Sequence, residues 1–267
     1  MIDEQKYLSP RSRTVVKANE LIQKSRFNLS LQQQKIVLYL ISQITPYDKD
    51  FRVYEFSITE FCKVCGIDDT SGGNYSTLKA AIKEIADKSL WITIDEQETL
   101  LRWIEKPYIN RNSGTIRIRL DEDMKPYLLQ LQQNFTKYEL LWTLHFKSKY
   151  SVRLYEVIKS VHFKELESYV REFDLDELRR LLGAEKYTTY QTLKTRVLMP
   201  ACKEINEYSD KILTYEPIKK SKAVAKIRFT IASKGPIEIL ELKDKIEKEY
   251  DLNQLTLWDT LQDKGYV

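Results

Sequence analysis

Ser57-Ile-Thr-Glu-Phe-Cys-Lys-Val-Cys-Gly66 and Asp174-Leu-Asp-Glu-Leu-Arg-Arg-Leu-Leu-Gly183 share one layout. Each opens on a residue whose side-chain oxygen can cap a helix, with Glu at the capping-box position. Apolar residues follow, and a glycine closes the stretch as a helix C-cap. Soon after each glycine comes a near-identical pentamer, Tyr75-Ser-Thr-Leu-Lys79 and Tyr190-Gln-Thr-Leu-Lys194. Upstream, Leu38-Tyr39 and Leu154-Tyr155 fall at almost the same offset. A unit that recurs once along a chain of 267 residues implies two domains of one type.

The flanking pattern gives each unit a shape. Residues 14–26 read as a helix, and Ser30 to Ile44 as a longer one stopped by Thr45-Pro46. Val53 to Phe56 alternates as a short strand, the Ser57 unit is a helix, and Tyr75 to Lys88 is another. Leu90–Ile94, Glu98–Ile104 and Ile109–Leu120, the last turning at Asn112-Ser-Gly114, read as strands. Helix, strand, helix, turn, helix, hairpin is the order of a winged helix. The second half repeats it with a helix over 149–163, a strand over 169–173, and the Asp174 helix. A long helix over 188–208 and two strands, 211–217 and 223–233, complete it. The fold class expected is α+β: tandem winged-helix domains over 1–130 and 131–234, followed by an acidic helical tail over 235–267.

Charge is distributed unevenly. The chain carries 43 Lys and Arg against 39 Asp and Glu, a net of +4. From Gly235 onward the balance is −4, which leaves +8 on residues 1–234. A basic body with an acidic tail suits a polyanion binder whose tail stays off the polyanion. No apolar run approaches membrane-spanning length, and Met1-Ile-Asp-Glu-Gln-Lys lacks a signal core, so a cytoplasmic protein is expected.

A helix that reads base edges must turn polar side chains away from its core. Wound at about 100° per residue, Tyr190, Leu193, Val197, Leu198, Ala201 and Ile205 share one side. Thr192, Thr195, Arg196, Met199 and Lys203 lie opposite, and Lys194 falls toward the buried side. The first copy has Ala80-Ala81 where the second has Thr195-Arg196. The C-terminal domain is therefore expected to read sequence, and the N-terminal one to supply protein contacts with some backbone contact. Lys186, Tyr187 and Thr188, on the approach to the helix, join the candidate DNA contacts. So do Lys219, Lys220 and Lys222 at the tip of the second hairpin, where a wing reaches phosphate or the minor groove. Exposed hairpin residues around Trp91 to Trp103 are candidates for a β-mediated dimer contact.

Three strings resemble the initiator Rep proteins of iteron-containing, theta-replicating plasmids. They are Asn28-Leu-Ser-Leu-Gln-Gln-Gln-Lys35, Ser148-Lys-Tyr-Ser-Val-Arg-Leu-Tyr-Glu156, and Lys203-Glu-Ile-Asn206 following Val197-Leu-Met-Pro200. The likeness covers roughly residues 14–233. It implies two winged-helix domains, binding to directly repeated origin sites mostly through the C-terminal one, and recognition positions within Thr188 to Lys203. It also implies a dimer that represses its own gene and a monomer that initiates replication with host proteins.

In the tail, Gln254-Leu-Thr-Leu-Trp258 resembles the pentapeptide by which bacterial replication proteins bind the sliding clamp. Leu255, Leu257 and Trp258 supply apolar anchors, and Gln254 a rim hydrogen bond. The alternative is an amphipathic segment that packs back on its own domain.

Other constellations are weak. Cys62-Lys-Val-Cys65 has the spacing of half a zinc site but sits at apolar positions of a helix with no second pair, so buried thiols are expected and no metal. His145 and His162 are too far apart for the paired-histidine metal site of nicking initiators. There is no phosphate-binding Gly-x-x-x-x-Gly-Lys loop. The chain is thus expected to be no enzyme and to need no cofactor. A winged-helix repressor without a replication role is the alternative; a nicking enzyme is a third reading, which the histidines oppose.

Overall fold

Residues 14–26, expected as one helix, form a strand, a helix and a strand in the computed structural model, which describes residues 11–65, 74–110, 112–161 and 168–263. Within those ranges the side chains of residues 60, 63, 65, 74, 75 and 250–263 are not described. β1 (Thr14–Ala18) and β2 (Ser25–Arg26) flank the short α1 (Asn19–Lys24). The β-branched run Thr14-Val-Val is the reason, because it fits a pleated, half-buried surface. Its partner is distant: β1 pairs antiparallel with β8 (Phe135–Glu139), with Val15 opposite Tyr138.

α2 (Leu31–Ile41) starts on a reciprocal capping box, Ser30 Oγ accepting from Gln33 N and Gln33 Oε1 from Ser30 N. It stops short of Ile44 because Gln43 N and Ile44 N bond only three residues back, to Leu40 O and Ile41 O, which tightens and ends the last turn. β3 (Tyr54–Ser57), α3 (Ile58–Cys65) and α4 (Asn74–Asp87) follow, so the first helix-turn-helix stands where the repeat placed it. Of the turn expected between these two helices, over residues 68–74, only Asn74 lies within the described residues, and the Glu60 side chain of the expected capping box is outside the described ones.

The first wing is doubled. β4 (Ser89–Ile94) and β5 (Gln97–Arg102) close through Asp95 and Glu96, both at positive φ (46° and 67°), as the twist of a two-residue hairpin demands. β6 (Tyr108–Asn110) and β7 (Thr115–Ile118) make a second hairpin. The result is two three-stranded sheets, ordered β2-β4-β5 and β3-β7-β6. The dimer candidates divide accordingly. Trp91 and Leu100 stand half out in solvent at 49% and 51%, whereas Trp103 is buried edge-on against Phe27 and is core.

After α5 (Lys125–Leu128) the expected division at 130/131 passes before β8, which turns back to β1. Then come α6 (Leu141–Leu144), α7 (Lys149–Ser160), β9 (Ser168–Asp174) and α8 (Leu175–Leu182). The expected helix over 188–208 is three pieces: α9 (Tyr190–Leu193), a π-helical turn over Lys194–Leu198, and α10 (Met199–Tyr208). β10 (Lys211–Lys220) and β11 (Ala223–Ser233) pair with β9 in the order β10-β11-β9. Pro217 is tolerated because β10 is an edge.

The two units share one core, a buried cluster that runs from Val15 to Ile246. α7 lies at the seam. The Arg153 guanidinium, fully buried, donates to the carbonyls of Ile22 and Ser25 in the first unit and of Leu181 in the second. Glu156 takes the Lys17 ammonium at 2.6 Å and the Tyr138 hydroxyl at 2.6 Å, all buried. Burial lowers the Lys17 pKa, and Glu156 partly offsets this. A buried pair of this kind adds little net stability but fixes one arrangement, because removing either partner strands the other.

The tail forms α11 (Pro236–Asp263), and the Gln254–Trp258 backbone is helical. The first part of α11 packs back on the body through Leu242 and the fully buried Ile246. Lys243 reaches Glu139 at 2.6 Å, and Arg11 reaches Glu247 at 2.9 Å. The side chains of Gln254, Leu255, Leu257 and Trp258 lie outside the described ones. No described helix is long and apolar enough to cross a membrane.

Candidate nucleic-acid interface

The second helix-turn-helix is built by local caps. Asp174 accepts from Asp176 N (3.0 Å) and Glu177 N (3.4 Å), which starts α8. Gly183 ends it at φ +62°, with Ala184 N bonded to Arg179 O at 2.8 Å. An added Cβ at Gly183 would meet Phe27 O at 3.3 Å, so the turn is pressed against the first unit. Arg179 then fixes the approach to the next helix, donating to the carbonyls of Tyr187 (3.0 Å) and Thr188 (2.9 Å). Sequence reading missed Arg179. The carbonyls it meets lie eight and nine residues further along the chain, so its spacing gives no local signal. Thr189 caps α9 by accepting from Thr192 N at 3.2 Å.

The wheel sorts this helix correctly. Leu193, Val197, Leu198, Ala201 and Ile205 are fully buried, while Thr192, Thr195, Arg196, Met199 and Lys203 are exposed. Lys194 is half-buried, in keeping with its reading toward the core side. The π turn shows in Met199 N, which bonds to Lys194 O, five residues back. Pro200 gives the physical reason. It has no N–H for the carbonyl of Arg196, and its ring would clash there in a regular α-helix, so the wider turn accommodates it.

The threonine hydroxyls are committed as donors. Thr192 Oγ1 donates to Thr189 O (2.9 Å) and Thr195 Oγ1 to Gln191 O (3.0 Å). What they offer outward is lone pairs and methyls, suited to the amino groups of cytosine or adenine and the methyl of thymine. Arg196 and Lys203 add charge for guanine edges or phosphates.

The approach residues are more structural than expected. Tyr187 is half-buried and meets Tyr150 edge-on at 6.0 Å, and Thr188, though exposed, gives its carbonyl to Arg179. Lys186 is exposed, its ammonium 5.1 Å from the Tyr187 ring. At the wing, Lys219, Lys220 and Lys222 are all exposed around a tight turn in which Ser221 takes φ +58°. β10 runs through Lys219 and Lys220, so the strands continue closer to the tip than the sequence suggested.

Apart from the exposed Lys203, the strings that distinguished the sequence contribute scaffold contacts. Glu204 accepts from the backbone N–H of Lys147 and Ser148, capping the approach to α7. Asn206 grips Leu213 by both its N–H and its carbonyl, which sets the start of the wing. Asp210 takes the Tyr155 hydroxyl at 2.7 Å and the Lys159 ammonium at 2.9 Å. The thiols are structural as well: Cys62 is core, and burial pushes Cys202 up to about 12, while the Cys65 side chain is outside the described ones.

A helix-turn-helix closed by a β-hairpin, present twice, with an exposed basic and hydroxyl face on the second long helix, defines a tandem winged-helix protein. The chain belongs to the initiator replication protein family: the Initiator Replication protein WH1 profile matches residues 14–159 and the Initiator Rep protein WH2 profile residues 174–231. It is 28% identical over 206 residues to the Replication initiation protein of Escherichia coli, covering 73% of this chain and 63% of that protein. The match thus spans less than two thirds of that relative's length. The fold is similar to that in the crystal structure of the Pi initiator protein in complex with iteron DNA, with a TM-score of 0.69 at 19% identity. That match covers 84% of this chain and 98% of the other.

Proposed function

We propose that the protein initiates plasmid replication by binding repeated origin sites in duplex DNA. The observation that carries this reading is the face of α9–α10, where Thr192, Thr195, Arg196, Met199 and Lys203 stand exposed on a helix held by a capped helix-turn-helix. Family membership and the iteron complex of the similarly folded Pi protein support it. The α9–α10 helix enters the major groove, and the Lys219–Lys222 tip holds the adjacent backbone. No catalytic step is assigned to this chain: it binds, helps open neighbouring A·T-rich DNA, and recruits host replication proteins, with no metal or cofactor.

Three finer parts belong to the same reading. Dimers form through the half-exposed Trp91 and Leu100 face of β4–β5 and repress the gene, while monomers initiate. The Gln254–Trp258 segment serves the sliding clamp. The protein acts in the cytoplasm.

An electrophoretic mobility shift at fixed salt, on DNA beside the gene with scrambled duplex as competitor, tests the whole. A ladder of discrete shifts on a direct-repeat fragment is expected. A single shift on an inverted repeat would instead indicate a dimeric repressor, and no specific shift would end the DNA-reading interpretation.

A further inference from the structure

A small cavity lies where Trp103, just after β5, meets α2 and α7. Apolar side chains make most of its wall, but Lys17, Gln34, Trp103 and Glu156 line it too. The space open to the centre of a water-sized sphere is about 10 Å³, enough for one water and for nothing larger.

Trp103 is 1% exposed, and its indole Nε1–H has no hydrogen-bond partner among the described residues. An indole nitrogen can only donate. Leaving a buried donor unpaired costs its full desolvation, which exceeds the entropy lost in fixing one water. Acceptors stand on the same wall. Glu156 Oε1 takes both Lys17 and Tyr138 at 2.6 Å, but Oε2 has Arg153 at 3.9 Å, too long for a hydrogen bond. Gln34 Nε2 donates to Leu29 O at 3.2 Å, which leaves the amide oxygen for another donor. A cavity lined by hydrocarbon alone stays dry, whereas one with several polar groups holds water.

We propose that this cavity seats one ordered water, which accepts the Trp103 indole N–H and donates to the oxygens of Glu156 and Gln34. Glu156 already ties α7 to Lys17 of β1 and Tyr138 of β8. The water extends that network to the base of the first wing, so wing and seam share one set of hydrogen bonds. It also gives the buried Lys17–Glu156 pair a local source of hydration, which lessens the desolvation that burial imposes on Lys17. The inference goes beyond the DNA-binding reading and does not depend on it.

The test is a crystal structure of the full chain in which ordered waters are visible. The expected result is one water peak about 2.7–3.2 Å from Trp103 Nε1 and from an oxygen of Glu156 or Gln34. A cavity without density, or an indole N–H bonded directly to Gln34, overturns the proposal. NMR checks it in solution. The Trp103 indole signal, identified by its loss in Trp103→Phe, should show cross-peaks to the water frequency of opposite sign in NOESY and ROESY spectra, as a bound water gives. Cross-peaks of one sign, which mark proton exchange, or none at all, also overturn it.

Discussion

Leu78 and Leu193 occupy matching places in α4 and α9 and both are buried; Ile82 and Val197 match in the same way. Beyond them the helices separate. α4 continues its core with Ile85, whereas the sequence partner Pro200 is only half-buried and Ala201, one residue later, takes the core position. The π turn supplies that extra residue. Before the shift, at a pair still in register, Ala81 is buried against the first core while its counterpart Arg196 is exposed. The charges here also differ in kind, since Lys83 on α4 and Lys88 just after it are paired with Asp87 and Glu84. A change of side chain at one matched position, followed by a widened turn at a proline, thus separates the two helices.

The largest effect that would break this comparison is at the shared positions. Leu78→Ala and Leu193→Ala should each cost about 2–5 kcal/mol in urea unfolding, as one transition, because both leucines belong to one core. Two separable transitions would show that the units do not fold as one body. Next, Arg196→Ala should cost about 1–3 kcal/mol of affinity for direct-repeat DNA, measured by anisotropy, with stability unchanged. Ala81→Arg should do the reverse, losing about 1–3 kcal/mol of stability by overpacking and gaining no affinity. A gain in DNA binding there would mean that burial at this position is not what distinguishes the helices.

Gly183→Ala sharpens the comparison at the turn. It forces a left-handed residue and a tight approach to Phe27 O, and should cost about 1–2 kcal/mol in thermal unfolding. An unchanged melt would remove the turn from the seam. Smallest per residue is the wing: Lys219→Ala, Lys220→Ala and Lys222→Ala together should weaken binding to every duplex and lower the salt slope by about one per lysine that contacts phosphate. A slope equal to wild type would place the tip away from the backbone.

The parts legible in sequence were those specified locally. The Asp174 cap, the Gly183 terminus, the exposed face of α9–α10 and the lysine tip each follow from residues within a few positions of one another. The parts that escaped depend on distant partners. Thr14-Val-Val is a strand because β8 stands beside it, whereas the helix-favouring Glu20-Leu-Ile-Gln-Lys24 after it points toward a helix. Arg153 and Arg179 are decisive, yet each bonds to backbone carbonyls that carry no sequence signature. The π turn had one visible trace, Pro200, in a helix otherwise read as regular. Trp103 was grouped with Trp91 because strand alternation does not say where a strand ends and turns inward.

The pairing of Thr14–Ala18 with Phe135–Glu139 carries a consequence for biosynthesis. A ribosome adds about 5–20 residues per second, so β1 waits on the order of ten seconds for the strand that completes it. During that interval the nascent chain emerges with Val15 and Val16 unsheltered and their edge open to other chains. The yield of native protein should therefore be sensitive to translation speed and to chaperones that hold extended segments. Slow codons placed shortly after residue 139 should matter less than slow codons before it, because the later pause falls after the partner strand has been made.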